Sequence, residues 1–297
     1  MRVNDQCSAC LLDKQKHRTD DPEYLAEVKW ILKNRKENDT APYLVYLFNR
    51  AYERRFGKTD PYKAIKQAYN DYVLSMEEEI RHRIESDSMP LAASFAFARI
   101  GNYIDFGAMN QVDGSTFMDL LSSAGASEAD LPVLESFIRE CRSANRFLLI
   151  ADNCGEIVLD KLFLEQVKKH FPMLKISVLV RGEEVLNDAT CEDARYVGLD
   201  SIAEIISNGS SMAGTVYEML PEDARAAIDQ ADVILAKGQG NYETLSGQGR
   251  HIFYSLLCKC DLFMNRFRVP RLTGLFIEEN GEHSIRKNDY TENRPCF

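Results

Sequence analysis

The sequence has no excess of positive charge, no apolar run of membrane length and no glycine fingerprint for a nucleotide. Lysine and arginine number 36 against 46 aspartate and glutamate, a formal net charge of -10 over 297 residues. That sign argues against nucleic acid as a partner, because phosphate backbones are held by basic patches. It leaves room for a small phosphorylated metabolite, whose charge a cation and one or two local lysines offset inside a pocket. Without an apolar run of about 20 residues, no membrane span is expected. The first residues, MRVNDQCSACLLDKQ, are polar and charged with no apolar signal core, so a cytoplasmic protein is expected. Neither G-x-G-x-x-G nor a Walker loop follows the first core strand.

Histidine is scarce as well. His17, His82, His170, His251 and His283 all fall outside the loops where chemistry is expected, and each reads as a surface or packing residue. Of the eight cysteines, Cys7 and Cys10 have the spacing of half a zinc site or a redox pair. No second C-x-x-C completes it, and Cys258 and Cys260 are too closely spaced, so reduced, partly buried thiols are expected. Cys154 reads as a small residue that fits its loop rather than as a nucleophile.

What is present is two patterns in series. The first hundred or so residues read as helical. Asp21-Pro22 and Asp60-Pro61 each pair a capping side chain with a proline suited to the first helical turn. Leu25, Val28, Ile31 and Leu32 follow the first at helical spacing. A long helical segment to about Ser86 follows the second, and Pro90 opens another. The run Glu77-Glu78-Glu79 before Arg81, His82 and Arg83 reads as a solvated helix face with local ion pairs. From about residue 145 short apolar runs alternate with amphipathic stretches. FLLIAD (147–152), ISVLVRG (176–182), AEIISNG (203–209), DVILAKG (232–238), HIFYSLLC (251–258) and RLTGLFIE (271–278) read as strands. Strands separated by helices predict an α/β fold: a Rossmann-like, mainly parallel sheet flanked by helices, with an all-helical N-terminal region. The division is expected near residue 110, with both parts forming one packed unit.

Such sheets bind ligands beyond the carboxyl ends of their strands. Three polar loops fall there: Asp152-Asn153-Cys154-Gly155-Glu156, Leu186-Asn187-Asp188 and Lys237-Gly238-Gln239-Gly240-Asn241-Tyr242-Glu243. The oxygens of Asp152, Asn153 and Asp188 suit a hard divalent cation and leave positions for water and phosphate. Lys237 is placed to pair with phosphate charge. An aspartate before a helix is more often a cap than a ligand. Only the convergence of three loops on one edge brings the metal reading level with that one.

At these residues the chain resembles the damage-control phosphatase family, first catalogued as domain of unknown function 89. The matching stretches are GNYIDFGA (101–108), DNCGEIVLD (152–160), LNDAT (186–190) and KGQGNYETL (237–245). The resemblance implies metal-dependent hydrolysis of phosphate monoesters, supported by Mn²⁺, Ni²⁺, Co²⁺ or Mg²⁺. It places the metal on Asp152, Asn153 and Asp188, with Asp152, Asp188 and Lys237 as the catalytic set. It implies substrate contacts from Asn153, Glu156, Gln239, Gly240, Asn241 and Tyr242, with Asn102, Asp105 and Lys259 lining or bracing the cleft. One subfamily carries Arg-Thr-x-Lys near its C-terminus. Here Leu256-Leu257-Cys258-Lys259 keeps only the lysine, which argues against that subfamily's sugar-phosphate specificity and its disputed carboxyl methyltransferase activity. Cys7-x-x-Cys10 resembles the archaeal and bacterial branch. The alternatives to a phosphatase are a non-catalytic module binding a phosphometabolite, and a methyltransferase.

Overall fold

The computed structural model describes residues 2–105, 113–125, 128–280 and 284–286. Part of the GNYIDFGA stretch, together with His283 and Cys296, lies outside them. The chain begins with helices α1 (Asp5–Arg18), α2 (Pro22–Lys33), α3 (Ala41–Phe56), α4 (Lys63–Leu74), α5 (Glu77–Ser86) and α6 (Pro90–Gly101). Asp21 caps α2 by accepting from the Tyr24 amide, with Pro22 in the first turn. Thr40 does the same for α3 from the Tyr43 amide. The long helix expected after Asp60-Pro61 is two. Ser75 Oγ donates to the Tyr72 carbonyl at 2.6 Å and the Met76 amide closes a tight turn onto Val73 at 3.1 Å, so the ladder breaks between Leu74 and Glu77. The acidic run is also not wholly solvated. Glu77 accepts from both Arg81 and Lys161, and Arg81 reaches Glu165 at 3.0 Å, which clamps α5 to the helix that follows the first strand.

Helices α7 (Gly114–Ser122) and α8 (Leu131–Ser143) lead into the alternating part. Strands β1 (Arg146–Ile150), β2 (Lys175–Val180), β3 (Glu204–Ser207), β4 (Val233–Lys237), β5 (Ile252–Leu257), β6 (Gly274–Asn280) and β7 (Ser284–Arg286) are joined through helices α9 (Glu156–His170), α10 (Cys191–Tyr196), α11 (Glu222–Gln230), α12 (Gly238–Leu245) and α13 (Asp261–Phe267). They form a seven-stranded sheet in the order β3-β2-β1-β4-β5-β6-β7. The pairs among β1 to β5 are parallel, whereas β6 and β7 are antiparallel. A helix of seven residues rises only about 10 Å, so α13 cannot return the chain along β5. Instead Cys258 and the Leu272–Thr273 pair exchange hydrogen bonds at 2.7 and 2.9 Å, and the connection closes as a hairpin that carries α13 in its loop.

The central strands are largely apolar because both of their faces are covered. Phe147, Leu149, Val178, Leu235, Phe253 and Phe276 face one core. Leu148, Ile150, Leu179, Ile234, Tyr254 and Ile277 face the other. The first core also takes Ile80, Leu91, Phe95, Phe97 and Phe137, so helices on both sides of residue 110 share it with the sheet. Helices α1 to α3 bury a small cluster of their own around Tyr24, Leu44 and Phe48. No helix among the described residues is long and apolar enough to cross a membrane.

Candidate active site

The chain runs β1, β2, β3 in one direction across the sheet and then returns to place β4 on the other side of β1. The carboxyl ends of β1 and β4 therefore diverge into different loops, which opens a crevice at that edge. Asp152 and Asn153 follow β1, Asp188 follows β2, and Gly238 begins α12 directly after β4. A backbone bridge joins Asn153 to Asp188, and the Ala189 amide donates to the Asp152 carbonyl at 2.8 Å. The three residues expected to hold a metal thus lie together.

Asn102, at the end of α6, ties this edge to the helical region. Its Nδ2 donates at 3.0 Å to Asp152 Oδ2 and at 3.0 Å to Glu156 Oε2, while its Oδ1 accepts from the Leu257 amide at 3.1 Å. Asn153 Nδ2 donates to the same two carboxylates at 2.8 and 3.0 Å. The close approach of α6 to α9 depends on Gly101, where a Cβ would meet the Glu156 Cα at 3.0 Å.

Arg181, at the end of β2, is the residue that sequence reasoning passed over. It is 1% exposed. Its Nε donates to Asp188 Oδ2 at 2.7 Å, one terminal nitrogen lies 3.5 Å from Asp152 Oδ1, and the other reaches Asn241 Oδ1 at 3.3 Å and Thr215 Oγ1 at 3.4 Å. An arginine between a predicted strand and a glycine at the ligand edge was the available signal. Asp160 was also missed, although it lies one helical turn after Glu156 on the same face of α9.

Three expectations change. Lys237 points away from the crevice. Its ammonium is enclosed by the Ala98 carbonyl at 3.0 Å, Glu156 Oε1 at 2.8 Å and Asp160 Oδ1. Held this way among the described residues, it braces Glu156 and Asp160. Asn241 is an internal brace as well: Nδ2 donates to the carbonyls of Lys237 and Ala151 at 2.7 and 3.1 Å, and Oδ1 accepts from Thr215 at 2.9 Å as well as from Arg181. Tyr242 is fully buried in the second core, edge-on to Tyr254, Phe263 and Phe267. Successive side chains of a helix are about 100° apart, and at Tyr242 the ring falls on the side of α12 that joins the second core.

The remaining candidates border the crevice. Lys259 Nζ lies 2.6 Å from Asp105 Oδ2, and its amide donates to Gln239 Oε1 at 2.7 Å. Gly240 passes so close to Ala213 that a Cβ would sit 2.2 Å from the Ala213 carbonyl oxygen. Cys154 is completely buried, and burial pushes its thiol well up, so the thiolate is disfavoured there. The seven described cysteines are free of disulfides.

Charge in the site is unbalanced. Asp105, Asp152, Glu156, Asp160 and Asp188 are buried against Arg181, Lys237 and Lys259, two fewer cations than carboxylates. Burial pushes the Asp152 carboxyl well above the usual range, reinforced by Asp188, Glu156 and Asp105. Burial also pushes Asp188 up to about 6, against the pull of Arg181. Two carboxylates held this way are relieved either by protons or by a cation. The donor set is carboxylate and amide oxygen, which fits a hard divalent ion.

Comparison with known proteins gives the family and the fold. The model of the damage-control phosphatase ARMT1-like domain matches residues 2–272. A damage-control phosphatase of Archaeoglobus fulgidus is 32% identical over 276 residues, covering 88% of this chain and 93% of the relative. A damage-control phosphatase of Pyrococcus horikoshii is 30% identical over 221 residues, 72% of this chain and 73% of the relative. Among solved structures, a DUF89 family protein from Pyrococcus horikoshii superposes with a TM-score of 0.72 at 24% identity, covering 92% of this chain and 98% of the other. That likeness extends the shared fold over nearly the whole chain.

Proposed function

We propose, for a chain that belongs to the damage-control phosphatase ARMT1-like family, that it is a metal-dependent phosphatase acting on monoesters of small phosphorylated metabolites. The observation that carries this reading is the pair Asp152 and Asp188. They come from adjacent strand ends and are both engaged by the one Arg181 guanidinium, in a site with more carboxylates than cations. Asp152, Asn153 and Asp188 would hold Mn²⁺, Co²⁺, Ni²⁺ or Mg²⁺. A divalent ion bound there supplies charge neutralisation to phosphoryl oxygens and acidity to water.

The chain's own residues do the rest. Asn102 and Asn153 orient Asp152 through their amide nitrogens. Both oxygens of Glu156 are taken, one by Lys237 and the other by Asn102 and Asn153, so Glu156 holds the frame and Asp188 is the better placed proton acceptor. Lys259 replaces Lys237 as the cation for the phosphate, since among the described residues its ammonium is paired with a single carboxylate, that of Asp105. Gln239 fixes the backbone beneath Lys259.

The test is phosphate release from p-nitrophenyl phosphate, sugar phosphates and nucleoside monophosphates, with each metal in turn. Activity should need added metal and collapse in Asp152→Asn and Asp188→Asn. Full turnover in chelator would reject the reading. Tight binding of phosphometabolites without turnover would make the chain a sensor. Binding of S-adenosylmethionine would support methyl transfer instead.

A further inference from the structure

We propose that Glu140, His251 and Glu278 form a second divalent-metal site, at the opposite end of the sheet from Asp152. His251 immediately precedes β5, and Glu278 pairs with Phe253 across the β5–β6 ladder. His251 and Phe253 are two residues apart, so all three side chains emerge on one face. That face is covered by α8, whose Phe137 packs edge-on against Phe253 at 5.4 Å. Glu140 follows one turn later on the same side of α8. The topology therefore brings an imidazole and two carboxylates to one point at the amino edge of the sheet, whereas the catalytic loops lie at the carboxyl edge.

The geometry fits a small borderline cation. His251 Nε2 lies 3.2 Å from Glu278 Oε1, and Nδ1 lies 3.4 Å from Glu140 Oε2. One ligand atom from each residue lies within 4.8 Å of the others. Neighbouring ligands on a tetrahedral zinc are about 3.3 Å apart, so Glu278 and His251 already have the spacing of two ligands. Only Glu140, the half-buried outer arm, must close in. An imidazole with two carboxylates suits Zn²⁺ or Co²⁺ better than Mg²⁺, which prefers oxygen alone.

A second observation points to a missing ligand. The Glu278 side chain is 4% exposed. Its Oε1 accepts from Ser136 at 3.0 Å and faces His251, but its Oε2 accepts no hydrogen bond among the described residues. A buried carboxylate oxygen without a donor costs free energy that a coordinated cation removes. A metal here would fasten α8 to β5 and β6. With three protein ligands it would keep a fourth position for water.

The full chain, stripped with chelator and reloaded with Zn²⁺ or Co²⁺, tests this by metal content and titration calorimetry. Two equivalents are expected in the wild type. One is expected in His251→Ala and in Glu278→Gln, and one also in the Asp152→Asn/Asp188→Asn double variant. In that double variant, Zn²⁺ should still raise Tm, and adding His251→Ala should abolish the rise. Glu140→Gln, at the half-buried arm of the cluster, keeps the test alive if the buried variants misfold, and should weaken the second equivalent about 10-fold or more. Unchanged stoichiometry in all three variants of this cluster would overturn the proposal and leave His251 as an imidazole bridging two carboxylates. If the Asp152/Asp188 variant loses no metal while His251→Ala does, the catalytic reading fails and this one stands.

Discussion

The α-carbon of Gly238 lies against the carboxylate of Asp152: a Cβ at Gly238 would stand 1.9 Å from Asp152 Oδ2. Gly238 also holds φ at +79°, the left-handed region that costs an L-residue about 1–2 kcal/mol. Gly238→Ala should therefore push the Asp152 carboxylate out of line while the rest of the fold persists. Since a displacement of about 1 Å at a reacting centre costs about 100-fold, kcat/KM is expected to fall by at least that factor. Far-UV circular dichroism should stay unchanged. Activity within twofold or so of wild type would show that Asp152 has slack.

Asn102 acts through Asp152 and Glu156. Asn102→Ala removes donors to both carboxylates and an acceptor from the Leu257 amide. Metal affinity measured by calorimetry should fall about 10–100-fold, the usual effect of losing a residue that orients a metal ligand. Asn102→Asp should be worse than alanine, because it adds a carboxylate to a site already rich in them.

Arg181→Met leaves Asp188 and Asp152 buried without their shared cation. Breaking such a buried pair costs about 3–5 kcal/mol, read as a lowered midpoint of urea unfolding in chelator. Mn²⁺ should recover part of the loss. Adding Asp188→Asn to Arg181→Met should also recover part of it. A loss of equal size with and without Mn²⁺ would show that Arg181 packs rather than balances charge.

The two lysines should separate. Lys237→Met strips Glu156 and Asp160 of their cation and should lower stability by about 3–5 kcal/mol. Lys259→Met should raise KM for phosphate esters with a smaller change in stability. The reverse pattern would return the phosphate contact to Lys237.

Asp152 and Asp188 make the metal-free protein sensitive to pH. Burial raises both carboxyls, Asp188 to about 6. The folded state therefore binds more protons than the unfolded chain between the ordinary carboxylate range near pH 4 and about pH 6. Their contribution to stability is fully present below that ordinary range and is lost as pH rises through 6. Metal and protons compete for the same oxygens. The rise in Tm on adding Mn²⁺ should thus be larger at pH 7.5 than at pH 5. An equal rise at both pH values would place the metal elsewhere.

Much of this was readable without coordinates. Short continuous apolar runs bounded by polar loops are a local property, so six strands and the three loops at their carboxyl ends could be read directly. Oxygen chemistry then made Asp152, Asn153 and Asp188 one candidate set, because strand ends in a parallel sheet share an edge. What the pattern could not supply was direction. The hydrogen bonds that close α13 inside a hairpin turn β6 antiparallel, and those join residues far apart in sequence. The same limit applies to side chains in the Lys237–Tyr242 loop. In sequence they read as one binding motif, but backbone geometry sends Lys237 behind Glu156, Asn241 under Arg181 and Tyr242 into the second core. The part played by Arg181, and the meeting of Glu140, His251 and Glu278 at the far edge, exist only once the sheet has been assembled.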